Sequence, residues 1–295
     1  MKNTIFTGAG VAIVTPMNDD MSVNYTKLGE LIDFNIENGT DAIIICGTTG
    51  ESSTLTDEEP VECISFAVEH TNKRVPVIAG TGSNDTRYAI FLSKEAEGLG
   101  VDGLLVVTPY YNKTSQKGLV AHFTAIADSV NIPIILYNVP SRTGMNISVE
   151  AYSELSKHKN IVAAKEASGN ISHIAQIFAV CGDELDVYSG NDDQIIPIMA
   201  LGGKGVISVL SNCMPRETHE ICRLCLENNY SDAAKLASMH LEFTNNLFID
   251  VNPIPVKEAL NLMGKNVGGA RLPLISLSDK AREALKASMQ KIHLI

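Results

Sequence analysis

Ile161-Val162-Ala163-Ala164-Lys165-Glu166-Ala167-Ser168-Gly169 is a short apolar run closed by turn residues, with a lysine at its far end. An unbroken apolar run of this length reads as a strand covered on both faces. Lysine is almost never buried without a partner or a task. Taken alone, Lys165 reads as a side chain that snorkels to water or pairs with Glu166. The alternative is chemical. An ammonium in a dry pocket loses hydration, the neutral amine gains, and a neutral amine adds to a carbonyl carbon to form a Schiff base.

Seven similar runs surround it, at residues 10–15, 42–46, 75–79, 103–107, 133–137, 185–189 and 205–209. Amphipathic helical patterns separate them, at 25–38, 56–71, 84–99, 116–129, 149–157, 171–181 and 193–201. Thr56 with Glu59 predicts a capping box at the start of the second helix. Alternating strands and helices call for parallel pairing with right-handed crossovers. Eight units in roughly two hundred residues predict an α/β fold, a closed (β/α)8 TIM barrel. The competing open sheet carries a GxGxxG turn after its first strand, where this chain has Thr15-Pro16-Met17. Beyond about Arg216 only helical patterns remain, at 217–228, 231–246, 256–263 and 278–292, interrupted by Asn252-Pro253-Ile254-Pro255. The expected division is a catalytic barrel over 1–225 and a C-terminal helical domain over 226–295.

Composition narrows the function. The chain has 295 residues, 45% hydrophobic and 19% charged, enough for a sizeable core. A net charge of -11 argues against nucleic acid or an anionic membrane as partner. It also means that a site for small anions must supply its own positive charge. Neither a signal-peptide pattern nor an apolar stretch of membrane-spanning length is evident, so a cytoplasmic protein with reduced thiols is expected. Cys222-Arg-Leu-Cys225 has the CxxC spacing, but with no second pair and inside a helical pattern it reads as packing. The histidines lack metal-ligand spacing; no metal or cofactor is expected.

In a barrel the C-terminal strand ends share one mouth. Those ends carry Thr48, Thr49, Tyr110, Tyr111, Tyr137, Lys165, Gly190 and Ile207. Hydroxyls and phenols move protons and an amine makes an imine, which is the inventory of Schiff-base carbonyl chemistry. Each has a plainer reading as well. Tyr137 can be a core phenol satisfied by backbone, Thr48 and Thr49 can cap a turn, and Tyr110 and Tyr111 can be rim aromatics at a subunit contact. Arg142 is by default a solvated turn residue, yet over the mouth its fork would hold a carboxylate. Glu51 and Glu166 read as loop holders. Gly203-Lys204-Gly205 lacks the spacing of a phosphate loop.

Gly47-Thr48-Thr49-Gly50-Glu51 with Leu55, Tyr137-Asn138-Val139-Pro140 with Arg142-Thr143-Gly144, and Lys165 in its Ala-Ala-Lys-Glu-Ala strand resemble the dihydrodipicolinate synthase family of the pyruvate-dependent aldolases. The resemblance spans nearly the whole chain, including the segment from Asn252 to Lys257. The lysine and Tyr-Asn-Val-Pro motifs are shared across the superfamily, whereas the Gly-Thr-Thr-Gly-Glu loop and Arg142 are more specific. Sialic acid lyases typically show Gly-Ser-Thr-Gly-Glu and lack the arginine.

The resemblance implies condensation of pyruvate with L-aspartate 4-semialdehyde, yielding the cyclic precursor of diaminopimelate and lysine. Lys165 would form the imine and Tyr137 would donate and accept protons. Thr48 would link Tyr137 to Tyr111 of a neighbouring subunit. Thr49, Gly190 and the Ile207 backbone would bind pyruvate, and Arg142 the carboxylate of the aldehyde. A homotetramer of tight dimers is implied. Ser52, Asn84 and Tyr110 match the family's inhibitory lysine site, while Asp57, Pro60 and Tyr88 depart from it, so weak or absent lysine inhibition is expected. Two other functions compete: a pyruvate aldolase or lyase for N-acetylneuraminate or a 2-keto-3-deoxy sugar acid, and a non-catalytic barrel that binds a keto acid. Arg142, suited to a short substrate with a distal carboxylate, and the complete set of imine and relay residues favour the synthase.

Overall fold

The computed structural model describes residues 2–295. Eight strands, β1 (Gly8–Ala12), β2 (Ala42–Ile45), β3 (Val77–Gly80), β4 (Gly103–Val107), β5 (Ile134–Asn138), β6 (Ile161–Glu166), β7 (Asp186–Ser189) and β8 (Gly205–Ser208), pair in parallel and in sequence order. β8 returns to β1 and closes a barrel. Closure is tight at Gly205, where an added Cβ would fall 1.8 Å from the Gly8 carbonyl oxygen.

The strands read as apolar runs because both of their faces are covered. Inward side chains, among them Ala42, Ile44, Ile78, Leu105, Ile135, Tyr137, Ala163 and Ile207, fill the barrel interior. Tyr188 stacks on Phe6 with ring centres 4.4 Å apart and donates to the Phe6 carbonyl at 2.6 Å. Outward side chains such as Ile43, Ile45, Leu104, Val106 and Leu136 pack in the core shared with the helices. Several helices start on polar caps: Asn24, Asp85, Ser115, Ser148 and Asn170 each accept a backbone N–H of the first turn.

β6 carries the irregularity that matters most. Ile134 pairs with Ile161, but Ile135 pairs with Ala163, so β6 has one extra residue at Val162. Val162 and Ala163 consequently both face the interior, and Ala164 faces out. Lys165 then points inward, opposite Tyr137 on one side and Tyr188 on the other. A bulge of this kind shifts every later side chain to the opposite face.

Three local expectations need correcting. β1 begins and ends earlier than residues 10–15: the Ile13 amide makes the last bond to β2, on the Ile44 carbonyl, after which Val14 donates to Asn212 and the Thr15 carbonyl accepts from Lys257 of the C-terminal helices. The second helix starts at Glu59, not Thr56: the Glu59 carboxylate does accept from the Thr56 amide at 2.8 Å, but the Thr56 hydroxyl makes no cap, and Arg271 grips the same carboxylate. The Arg142 loop is itself a short helix, Pro140–Thr143.

The helix Pro215–Leu226 packs on β1, and its Ile221, Cys222 and Cys225 bury against Ala9 and Val206. The CxxC pair is thus packing; burial pushes the Cys225 thiol up to about 11 and Cys222 well above its usual range. Helices Tyr230–Asn246, Ile254–Leu262 and Asp279–Lys291 complete the chain. None among the described residues is long and apolar enough to cross a membrane.

Candidate active site

Lys165 is 6% exposed at the C-terminal end of β6, and its Nζ lies 4.3 Å from the centre of the Tyr137 ring. β5 supplies the phenol and β6 the amine, placed side by side by the ladder. Neither of the plainer readings of the lysine holds. It does not snorkel, being buried, and Glu166 turns elsewhere: its Oε1 accepts from Tyr152 Oη at 2.6 Å and Asn138 Nδ2 at 2.7 Å, and its Oε2 from Ser168 Oγ at 2.6 Å. Burial, and then the neighbouring Glu166 charge, hold the Tyr152 phenol well above its usual range, so it stays a donor.

Gly190 follows β7 beside the lysine. An added Cβ would meet Ala167 Cβ at 2.7 Å and Lys165 Cε at 3.2 Å. The absent side chain is what gives the lysine its room. Ile207, 1% exposed in β8, lines the same interior as Tyr137.

Thr48 and Thr49 lie in the loop after β2, where Cys46 and Glu51 both take positive φ, 55° and 57°. Thr49 is buried, and its Oγ1 accepts from Asn252 Nδ2 at 3.0 Å. Thr48 lines a cavity of about 260 Å³ together with Ser52, Pro60, Tyr88, Tyr110 and Arg142. Asn84 braces this wall by donating to the Tyr110 carbonyl at 3.1 Å. Burial raises the Tyr88 phenol, with the Asp57 carboxylate adding to the effect. Tyr111, with φ 69°, is 92% exposed, whereas Tyr137 is buried. Arg142 Nη2 donates to the Asn252 carbonyl at 3.2 Å.

The structure adds residues to which the sequence assigned no role. Lys257 Nζ pairs with Glu51 Oε1 at 2.6 Å and donates to the Thr15 carbonyl at 2.9 Å. Glu51 Oε2 accepts from the Arg271 amide at 2.9 Å, while the Arg271 guanidinium takes both oxygens of Glu59 at 2.6 Å. The C-terminal helices thereby clamp the Thr48–Thr49 loop. Asp192 does the same for the chain after β8: its Oδ2 accepts from the Val209 and Leu210 amides at 3.1 and 2.9 Å. Burial pushes this carboxyl up, against the pull of those hydrogen bonds and the Lys165 charge. An acid two residues past the Gly190 strand end was a readable signal. Asn252 and Lys257 stood out only as part of the family resemblance, with no role attached, and Arg271 not at all, since their partners lie up to 220 positions away.

Among the described residues no group of three or more His, Cys, Asp or Glu side chains is placed to hold a metal ion. The barrel interior thus holds a buried amine beside a phenol, and the cavity lined by the Thr48 hydroxyl and the Arg142 guanidinium shares Val139 with the cluster around Tyr137.

The chain resembles known proteins along its length. The model of the dihydrodipicolinate synthetase family matches residues 5–292. A 4-hydroxy-tetrahydrodipicolinate synthase of Lachnoclostridium phytofermentans is 59% identical over 292 residues, covering 99% of each chain. The crystal structure of dihydrodipicolinate synthase from Aquifex aeolicus superposes with a TM-score of 0.96 at 46% identity, over 98% of this chain and 99% of that one. That of the Acinetobacter baumannii enzyme complexed with pyruvate gives 0.97 at 43% identity, over 99% and 100%.

Proposed function

The chain belongs to the dihydrodipicolinate synthetase family, and from that premise we infer how its barrel mouth works. It catalyses the 4-hydroxy-tetrahydrodipicolinate synthase reaction of lysine biosynthesis, condensing pyruvate with L-aspartate 4-semialdehyde. The observation that carries the mechanism is the buried Lys165 amine 4.3 Å from the Tyr137 ring.

Lys165 adds to the keto carbon of pyruvate, and loss of water gives an iminium. The iminium draws electrons from the adjacent C–H bonds, so a methyl proton leaves and an enamine forms. The enamine carbon attacks the aldehyde, and the new alkoxide takes a proton; the amine of the aldehyde substrate then adds to the imine carbon and displaces the Lys165 amine, closing the ring and freeing the lysine. Tyr137 accepts and donates these protons, with Thr48 as the relay. Tyr111, turned outward in its own chain, completes the relay in a neighbouring subunit, and we place the working enzyme in a homotetramer of tight dimers in the cytoplasm. Thr49 and the Ile207 backbone hold the pyruvate carboxylate, with Gly190 giving clearance. Arg142 receives the carboxylate of the aldehyde in a bidentate contact. Two cations thus answer the anionic substrates of an acidic chain.

Borohydride reduction in the presence of pyruvate, followed by peptide mass mapping, tests this. A pyruvyl adduct on Lys165 is expected. Folded protein with Lys165 unmodified would remove the Schiff-base reading.

A further inference from the structure

Asn252 is separated from Thr49 by 203 positions and from Arg142 by 110, yet it bonds to both. Its side-chain Nδ2 donates to Thr49 Oγ1 at 3.0 Å, and its backbone carbonyl accepts from Arg142 Nη2 at 3.2 Å. Asn252 is 6% exposed and Thr49 3%. The helix Ile254–Leu262 begins two residues later and is anchored by the Lys257–Glu51 ion pair, so the Asn252 backbone is held independently of its side chain.

We propose that Asn252 is a positioning residue for the pyruvate carboxylate site, coupled to Thr49 through its side-chain amide, which aims the Thr49 hydroxyl at pyruvate, while its main-chain carbonyl holds the Arg142 guanidinium nearby. This rests on the roles given above to Thr49 and Arg142.

A hydroxyl has one proton to give and lone pairs to receive. An N–H aimed at Thr49 Oγ1 occupies a lone pair and leaves the proton free. A carboxylate only accepts, so Thr49 is set as a donor before the anion arrives, with no reorientation on binding. The other end of the amide supports this orientation. Asn252 Oδ1 is buried without a hydrogen-bond partner. Turning the amide over would spend the Thr49 proton on Oδ1 and bury an unpaired N–H group instead, and buried unpaired N–H groups are the rarer fault in folded proteins. The Arg142 contact, made by main chain, survives any side-chain substitution at 252.

Steady-state kinetics of the full chain carrying Asn252→Ala, Asn252→Asp, Thr49→Val and the double variant Thr49→Val/Asn252→Ala test the coupling. Asn252→Ala is expected to raise KM for pyruvate roughly tenfold, the worth of one hydrogen bond to a charged group. The KM for the aldehyde and kcat should move far less. Asn252→Asp, nearly isosteric and the fallback if the alanine variant misfolds, puts an acceptor against Thr49 and a negative charge between two anion sites, so both KM values should rise. In the Thr49→Val background, Asn252→Ala should add nothing to KM for pyruvate. If Thr49→Val raises KM but Asn252→Ala does not, or adds its full effect to Thr49→Val, the coupling is wrong while the role of Thr49 stands. If Thr49→Val leaves KM for pyruvate unchanged, the carboxylate role of Thr49 falls and the coupling with it.

Discussion

Lys165 stands directly across the β5–β6 ladder from Tyr137, and a single extra residue in β6 puts it there. With the regular register begun at Ile134 and Ile161, Tyr137 would face Ala164 and the lysine would turn out into the helix layer. The bulge lets the amine and the phenol share the barrel interior at 4.3 Å.

That proximity separates two steps. Tyr137→Phe keeps the ring and the packing but removes the proton carrier. Trapping of pyruvate on Lys165 should persist, while kcat drops by about 10²- to 10⁴-fold. Single-turnover trapping alongside steady-state rates measures both. Equal loss of trapping would mean that the phenol is needed before imine formation.

Gly190→Ala is a clean steric probe. The new methyl would press on Ala167 and on Lys165 Cε. A displacement of the amine by about 1 Å is expected to cost on the order of 100-fold in kcat/KM, with about 1–3 kcal/mol of stability lost to the contact with Ala167. Activity near that of the parent would show that the lysine side chain gives way without losing its aim.

Lysine should inhibit weakly. The cavity next to Thr48 keeps Ser52 and Tyr110, but its wall at 60 and 88 is a proline and a phenol. Neither supplies a negative charge to hold an ammonium, and the nearby Asp57 carboxylate faces the Tyr88 phenol. A steady-state titration with lysine reads this directly; half-inhibition at low concentration would overturn it.

The Lys257–Glu51 pair is a buried ion pair with both side chains almost fully covered. Lys257→Met leaves the carboxylate uncompensated and should cost about 3–5 kcal/mol of stability, whereas Glu51→Gln/Lys257→Met should recover part of it. Chemical denaturation of the three proteins gives the comparison. A loss below about 1 kcal/mol in the single variant would show that Arg271 and solvent compensate.

Acid should loosen the same clamp at Glu59. The Arg271 guanidinium holds this carboxyl below its ordinary value. A carboxyl lowered in the folded state contributes stability above its unfolded value, about 4.3, and loses it as pH falls through the folded value. The parent should therefore exceed Glu59→Gln by about 1–3 kcal/mol at pH 7, and the gap should close below about pH 4. Urea midpoints for both proteins across that range provide the test; a gap independent of pH would place the effect in packing.

The sequence by itself determined the barrel. Each strand is covered on both faces, so each announces itself as an apolar run, and parallel strands must alternate with helices. It also gave the mouth, because residues at strand ends can be read once the strands are known: Thr48, Thr49, Tyr137, Lys165 and Gly190 were all legible. Boundaries were less so, and the helix start at Glu59 escaped because only half of the capping box forms: the Glu59 carboxylate takes the Thr56 amide, but the Thr56 hydroxyl makes no cap. Only the tertiary structure decided how these residues meet. The face that Lys165 presents depends on one bulged residue, Val162, which leaves no mark in an all-apolar strand where inward and outward positions look alike. The grip of Asn252, Lys257 and Arg271 on the site loops depends on docking the C-terminal helices across roughly two hundred residues of chain. Local periodicity carries no information about contacts of that range; they exist only once the chain has closed.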